Sequence, residues 1–332
     1  MERLTQRKLR DIALSVSLRR AILWLTTIAV AATAFFYLSQ KADWTSLLDL
    51  SPAQILLVCL STVALLSLYA MGAAALLSGL GYSAGATRVL LAMLASSTIS
   101  LGGDPKLGVP SRLLFYKLFA DIPFSVGTAQ TTVESLMWLA MMGILIIIPG
   151  PLTDGYALPL LLTAAGLVTL GIVTVVAGPN LLDRLWIIGP IFRRMDRIRR
   201  FTFDVRSSIL AIRPTSLLLA SVWFGATYVV DILTVWFLAG FLGASLPLAG
   251  IGHALVISYL VGAASLLPLG LGIRDVTFVL LLQQAGLTSE QASAIALVHR
   301  TARTVLPLVL GLLVMPFVLS FKHKANQRPG AC

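Results

Sequence analysis

The sequence predicts an all-α polytopic membrane protein made of two inverted-topology repeats, each with three spans and a broken re-entrant hairpin. Three observations carry that prediction. The apolar runs are too many and too long for a soluble core, the positive charge is confined to a few segments, and two apolar stretches are broken by glycine and proline at matching places. The chain has 332 residues, 58% hydrophobic and only 12% charged, with a mean hydropathy of +0.91. A soluble domain has about 45–50% apolar and about 25% charged residues, so the solvent must be lipid. Continuous apolar runs argue for helices, because barrel strands alternate at a period of two residues.

The net charge of +11 is distributed as a topology signal and not as a nucleic-acid footprint. Residues 1–20 form a basic N-terminus with Arg3, Arg7, Lys8, Arg10, Arg19 and Arg20. The segment 179–213 carries Arg184, Arg193, Arg194, Arg197, Arg199, Arg200, Arg206 and Arg213, and the tail 322–332 carries Lys322, Lys324 and Arg328. Positive loops stay on the cytoplasmic side. Both termini and the 179–213 loop are therefore expected inside, in a bacterial cytoplasmic (inner) membrane. Arg193, Arg194, Arg197, Arg199 and Arg200 read as an anchor to an anionic lipid surface, with no nucleic acid as partner.

Spans are expected over 21–38, 53–77, 125–148, 158–178, 214–240 and 288–321, each with at least roughly the 20 residues that hydrocarbon demands. Residues 88–120 are broken at Gly102-Gly103-Asp104-Pro105-Lys106-Leu107-Gly108, and 250–285 at Pro268-Leu269-Gly270-Leu271-Gly272. The pieces are too short for ordinary spans and fit half-helices whose tips lie inside protein or a wet cavity. The tip glycines Gly102, Gly103, Gly108, Gly270 and Gly272, with Pro268, suit unwound backbone. A shift of 164 positions lays Leu107-Gly108-Val109 on Leu271-Gly272-Ile273 and brings Glu134 within two places of Arg300. The repeats are thus 21–150 and 151–321. With three spans in each, the second is inverted, an arrangement found in transporters with a site at the repeat interface.

The candidate site residues are the ionisable ones within apolar stretches: Asp104, Lys106, Arg112, Lys117, Asp121, Glu134, Asp231, Arg274, Asp275, Arg300 and Arg303. Charge at bilayer depth costs several kcal/mol and usually faces a cavity or a partner. Arg274, Arg300, Arg303, Arg112 and Lys106 are candidates for binding anionic headgroup oxygens. Glu134, Asp231, Asp275 and Asp104 are candidates for charge partners or proton coupling. Arg300 and Arg303, three apart, are expected on one helix face, with Glu134 or Asp231 as partner. Structural ion pairing and, for Arg112 and Lys117, a place at the cytoplasmic surface are the alternatives. Cys59 and Cys332 are placed against a disulfide framework. Of His253, His299 and His323, none is spaced as a metal pair, and His253 reads as a packing or cavity histidine. No nucleotide loop or nucleophile elbow is present. No enzyme activity, metal or cofactor is therefore expected. Thr288 and Gln291 read as a capping box that opens the last helix.

At these motifs the chain resembles the transmembrane region of the lysylphosphatidylglycerol synthases (the multiple peptide resistance factor) and their stand-alone flippase-like relatives. The second family motif, Pro-Gly-Gly-x-Gly-Val-Arg-Glu with a later Arg, stands here as Pro268-Leu269-Gly270-Leu271-Gly272-Ile273-Arg274-Asp275 with Arg300. The first stands as Pro105-Lys106-Leu107-Gly108-Val109, then Arg112, then Glu134-Ser135, so Val109 and Ser135 depart from an expected Glu and Arg. The resemblance implies a lipid transporter or flippase for an anionic, aminoacylated or glycosylated headgroup, without the soluble aminoacyl-transferase domain. The rival is a non-transporting accessory subunit, presenting lipid to a glycosyltransferase or other lipid-modifying enzyme partner. A homo-oligomer fits either.

The topology is directly testable. In a background free of Cys59 and Cys332, single cysteines in 193–200 should be shielded from an impermeant thiol reagent in intact cells and label after permeabilisation. Labelling from outside would reverse the orientation.

Overall fold

The computed structural model describes residues 50–102, 108–147, 196–265 and 272–325, with isolated positions elsewhere. Among the described residues all regular structure is helical: α1 (Pro52–Gly79), α2 (Ala86–Gly102), α3 (Gly108–Ala120), α4 (Phe124–Ile147), α5 (Asp196–Leu210), α6 (Pro214–Phe241), α7 (Leu248–Ala264), α8 (Ile273–Gln284) and α9 (Ser289–Ala325). Four are long and apolar enough to cross a membrane: α1, α4, α6 and α9, with the last counted to Pro316. The expected spans 21–38 and 158–178 lie outside the described residues apart from isolated positions, as do 1–20, 326–332, Arg193 and Arg194, while α9 runs on into the expected tail as far as Ala325.

Local chemistry sets the boundaries. Ser51 caps α1 reciprocally with Gln54, the Ser51 N–H donating to Gln54 Oε1 at 2.7 Å and Pro52 opening the helix. Pro52 and Pro214 both supply a fixed φ where no N–H is needed. The Thr288–Gln291 box forms in both directions, each contact 3.2 Å. Hydroxyls inside apolar helices donate back to their own helix: Thr62 to the Val58 carbonyl, Thr131 to that of Gly127 and Thr234 to that of Val230. Such a side chain adds no unpaired donor to the lipid phase.

Helix lengths recur in order. α1 to α4 have 28, 17, 13 and 24 residues, and α6 to α9 have 28, 17, 12 and 37. Both broken stretches thus divide into two short helices that pack against each other.

Small residues hold the bundle together, as expected where water supplies no drive for helices to associate. α1 packs along α6, and a Cβ at Gly72 would lie 2.7 Å from the Phe224 ring, one at Gly79 2.7 Å from Ser216 Cβ. α9 packs on α2, where Gly311 lies against the Leu94 carbonyl and the Thr98 hydroxyl. Leu56, Leu60, Leu218, Val222, Leu312 and Leu313 point outward, the surface of a bundle solvated by lipid.

The basic segment differs from expectation. Within what reads as a loop, Asp196–Leu210 forms helix α5, packed against α4. It contains no proline or glycine, and Ile198, Thr202, Val205 and Ile209 recur at helical spacing. Arg197 and Arg200 remain exposed.

A side chain at Gly311 would meet backbone that cannot rotate away. Gly311→Val should destabilise the protein by about 1–3 kcal/mol through overpacking, read as thermal unfolding in detergent. Gly225→Ala, whose added carbon would lie 4.0 Å from Met141 Sδ, should instead stabilise by about 0.5–1 kcal/mol, the helix preference of alanine over glycine.

Candidate functional site

Buried and half-buried charge gathers in three clusters on helices from both parts of the chain. The first centres on Glu134 of α4, which is 2% exposed. Arg112 of α3 reaches its Oε1 with Nη2 at 2.9 Å, the Tyr69 hydroxyl of α1 donates to the same oxygen, and Gln130 donates to Oε2 from one turn earlier. Glu134 therefore pairs with Arg112 and not with Arg300 or Arg303 as its place in the repeat suggested. The cause is the tight connection after α3, where Asp121 takes a left-handed φ of 52° and the chain turns back so that α3 lies along α4. Arg112 is accordingly interior, while Lys117 and Asp121 make an exposed ion pair.

The second cluster centres on Asp231 of α6, also buried. Its Oδ1 accepts from Arg303 Nε at 2.9 Å and lies 2.9 Å from His299 Nε2, both on α9. Its Oδ2 accepts from the Tyr259 hydroxyl of α7 at 2.8 Å. The remaining edge of the Arg303 fork donates to Thr62 Oγ1 of α1 at 2.8 Å and Thr234 Oγ1 of α6 at 3.1 Å. Both hydroxyls commit their proton to a backbone carbonyl in their own helix, which leaves lone pairs for the guanidinium. A planar fork with fixed donor directions suits this set of acceptors where a lysine would not.

The third cluster lies at the start of α8, beside the second break. Gly272 has φ 80°, a conformation that glycine adopts without strain, and its N–H donates to Asp275 Oδ2 at 3.3 Å. Asp275 Oδ1 lies 3.8 Å from Arg300 Nε. The Arg274 guanidinium sits 4.0 Å over the Tyr259 ring, and its stem passes so close to Gly262 that a Cβ there would be 2.9 Å from Arg274 Cβ.

Aromatic rings join the clusters. Trp138 lies 5.9 Å from Tyr69, 4.7 Å from Tyr228 and 6.2 Å from Tyr259, centroid to centroid. Tyr69 belongs to the first cluster and Tyr259 to the second and third, so polar groups extend through the bundle from Arg112 to Arg303. Arg300 and Arg303 do not share a partner: Arg303 turns to Asp231 and Arg300 to Asp275. The pair that meets one carboxylate is His299 and Arg303, four apart and closer in azimuth on a helix than residues three apart.

The sequence reading missed Tyr69, Gln130, Tyr259, His299, Thr62 and Thr234 as partners. The spacing His299–Arg303 and Gln130–Glu134, each i to i+4, was a usable signal. The tyrosines were hidden because they count as apolar. Asp104, Lys106, Gly103, Pro268 and Gly270 lie outside the described residues. Gly102 ends α2, and Gly108 opens α3 where a Cβ would come within 3.0 Å of Ser100 Cβ.

The sequence profile of the lysylphosphatidylglycerol synthase transmembrane region matches residues 13–311. The chain belongs to that family. No curated protein matched the sequence. Membership makes this an integral multi-pass membrane protein of a family connected with lipid modification and lipid flipping.

Removing one partner from a buried pair strands a charge, which costs about 3–5 kcal/mol. Arg112→Ala should therefore destabilise strongly, and Glu134→Gln in the same chain should recover most of the loss. Additive effects of the two substitutions in a double-mutant cycle of unfolding in micelles would contradict the pairing.

Proposed function

We propose that the protein moves a lipid with a polar headgroup (anionic, aminoacylated or glycosylated) between the leaflets of the bacterial inner membrane. It has no enzymatic activity of its own in this reading. One observation carries it: Arg112–Glu134, Asp231–His299–Arg303 and Arg274–Asp275–Arg300 lie on the interior faces of helices that are otherwise apolar. Well-packed apolar residues of similar volume stabilise a protein as well as buried ion pairs do, or better. Interior charge in a membrane bundle is therefore a mark of a substrate or ion path.

The recurrence of helix lengths supports two repeats, with the two broken stretches as re-entrant hairpins; three spans in each would set the second upside down. Pro52 and Pro214 are 162 positions apart, as are Ala86 and Leu248, whereas Gly108 and Ile273 are 165 apart, as are Phe124 and Ser289. In this reading Arg274 and Arg300 bind headgroup phosphate, which guanidinium contacts through two hydrogen bonds. Asp275 orients Arg300, and the half-helix α8 directs its N-terminal dipole towards the same place. Arg303, fixed by Asp231, Thr62 and Thr234, is a positioning residue. Helix α5 rests on the anionic cytoplasmic surface through Arg197 and Arg200.

The test is a leaflet-resolved assay of labelled lipid in proteoliposomes. Wild-type protein should move lipid well above protein-free vesicles. Arg300→Ala should lower the rate at least tenfold, while Lys117→Ala, at the exposed pair with Asp121, should leave it unchanged. Wild-type rates in a folded Arg300→Ala protein would remove the headgroup role. Absence of movement by the wild type would overturn the transport reading.

A further inference from the structure

We infer that His299 is a proton-binding site coupled to the entry of an anionic phosphate headgroup, so that proton and lipid bind together. The inference rests on the transport reading and adds its driving ion.

The charge balance of the second cluster leads to it. An ionised carboxylate can only accept hydrogen bonds, so the 2.9 Å contact to Asp231 Oδ1 requires the proton of neutral His299 to sit on Nε2. In that state Asp231 and Arg303 cancel, and the cluster is neutral. An added proton binds His299 Nδ1, keeps the Nε2 bond to Asp231 and leaves one uncompensated positive charge on a residue 2% exposed. Among the described residues the surroundings supply no answering carboxylate. From α6 the cluster receives Asp231, already held by Arg303 and by the Tyr259 hydroxyl of α7. From α8 come Arg274, itself a cation, and Asp275, which lies by Arg300 of α9. α1 contributes Thr62, and Tyr69 of α1 faces Glu134 of α4, which is engaged by Arg112 of α3. α2 carries one charged residue among its described positions, Arg88, in its first turn. Isolated charge at this depth is costly, so the doubly protonated state calls for an anion. A phosphodiester headgroup drawn towards Arg274 and Arg300, on the neighbouring side of Tyr259, provides one. Linkage is reciprocal: a headgroup that stabilises the proton is bound more tightly by the same factor once the proton is there.

The 332-residue sequence contains three histidines, His253, His299 and His323, so imidazole NMR signals from nitrogen-15 histidine can be assigned by single substitution. In nanodiscs at one fixed pH, exchanging phosphatidylcholine for phosphatidylglycerol should raise the doubly protonated fraction of His299 severalfold. The His253 and His323 signals report whether surface pH alone has changed, and they should move less. An unchanged His299 fraction overturns the inference. An equal rise from inorganic phosphate added to phosphatidylcholine nanodiscs would show a soluble anion at the site and sink the lipid coupling. In proteoliposomes, inward acidification should accelerate wild-type lipid movement, and His299→Gln should remove that response. Asp231→Asn, which fixes the extra positive charge without a proton, should also be insensitive to pH. Lipid movement by the wild type with full pH response in a folded His299→Gln protein refutes the proton site and leaves transport standing. No lipid movement at any pH refutes transport, while the NMR arm still decides the linkage.

Discussion

One guanidinium ties the bundle together. Arg303 uses Nε and both terminal nitrogens on acceptors from α6 and α1 while its own backbone belongs to α9. In hydrocarbon no water can take over a donor that loses its partner, so each of these bonds is held by the absence of an alternative. The rest of the second cluster follows from that constraint. Asp231 must sit on α6 opposite Arg303, Tyr259 must approach from α7 to occupy the second carboxylate oxygen, and Thr62 must come from α1. The close packing of Gly72 under Phe224 then lets α1 approach α6, the neighbourhood in which one arginine reaches Thr62 and Thr234 at once. Small residues and buried polar groups here are two parts of one solution: the first permits proximity, the second gives it direction.

Much of the helical frame was legible in the sequence because a lipid solvent leaves a coarse signal. An apolar run near 214–240 became Pro214–Phe241, and the Gly-Pro-rich interruptions divided both short stretches where expected. That one offset does not align the two runs of helices also has a structural origin. The chain takes six steps from Gly102 to Gly108 but nine from Ala264 to Ile273. A single shift of 164 therefore falls between the two offsets, 162 before the break and 165 after it, and matches neither. Helix α5 was concealed differently: its arginines dominate composition, while its apolar residues show only when read at helical spacing.

The site was legible as a list and not as a network. Every charged residue within an apolar run was visible, but partners were assigned from repeat position and from an i, i+3 argument. The structure keeps one expected pair, Arg303 with Asp231, and otherwise follows other rules. Glu134 takes the arginine that the α3–α4 turn brings alongside, and Arg303 takes the carboxylate shared with His299. Tyrosines and threonines supply much of the hydrogen bonding around both carboxylates. Hydropathy hides them, since a tyrosine is mostly ring and a threonine in a helix is half methyl.

The two offsets pair positions in the two runs of helices whose chemistry differs. Tyr69 corresponds to Asp231, Glu134 to His299, and Trp138 to Arg303. In each half the first residue bonds the second across the same helix pair, α1 with α4 and α6 with α9. In the first half the acid is on the fourth helix and its partner is a phenol, with an indole one turn further on. In the second half the acid is on the long first helix, its partner is an imidazole, and the indole position carries a guanidinium. A common frame thus holds a carboxylate in both halves at one crossing, but only the second places beside it an imidazole, a side chain that can carry one proton or two. Were the pairs there only to hold the crossing, the phenol–carboxylate arrangement of the first half would serve equally in the second. Two basic groups standing where the first half has a carboxylate and an indole are what distinguish the second half, and they gather where α6, α7 and α9 meet.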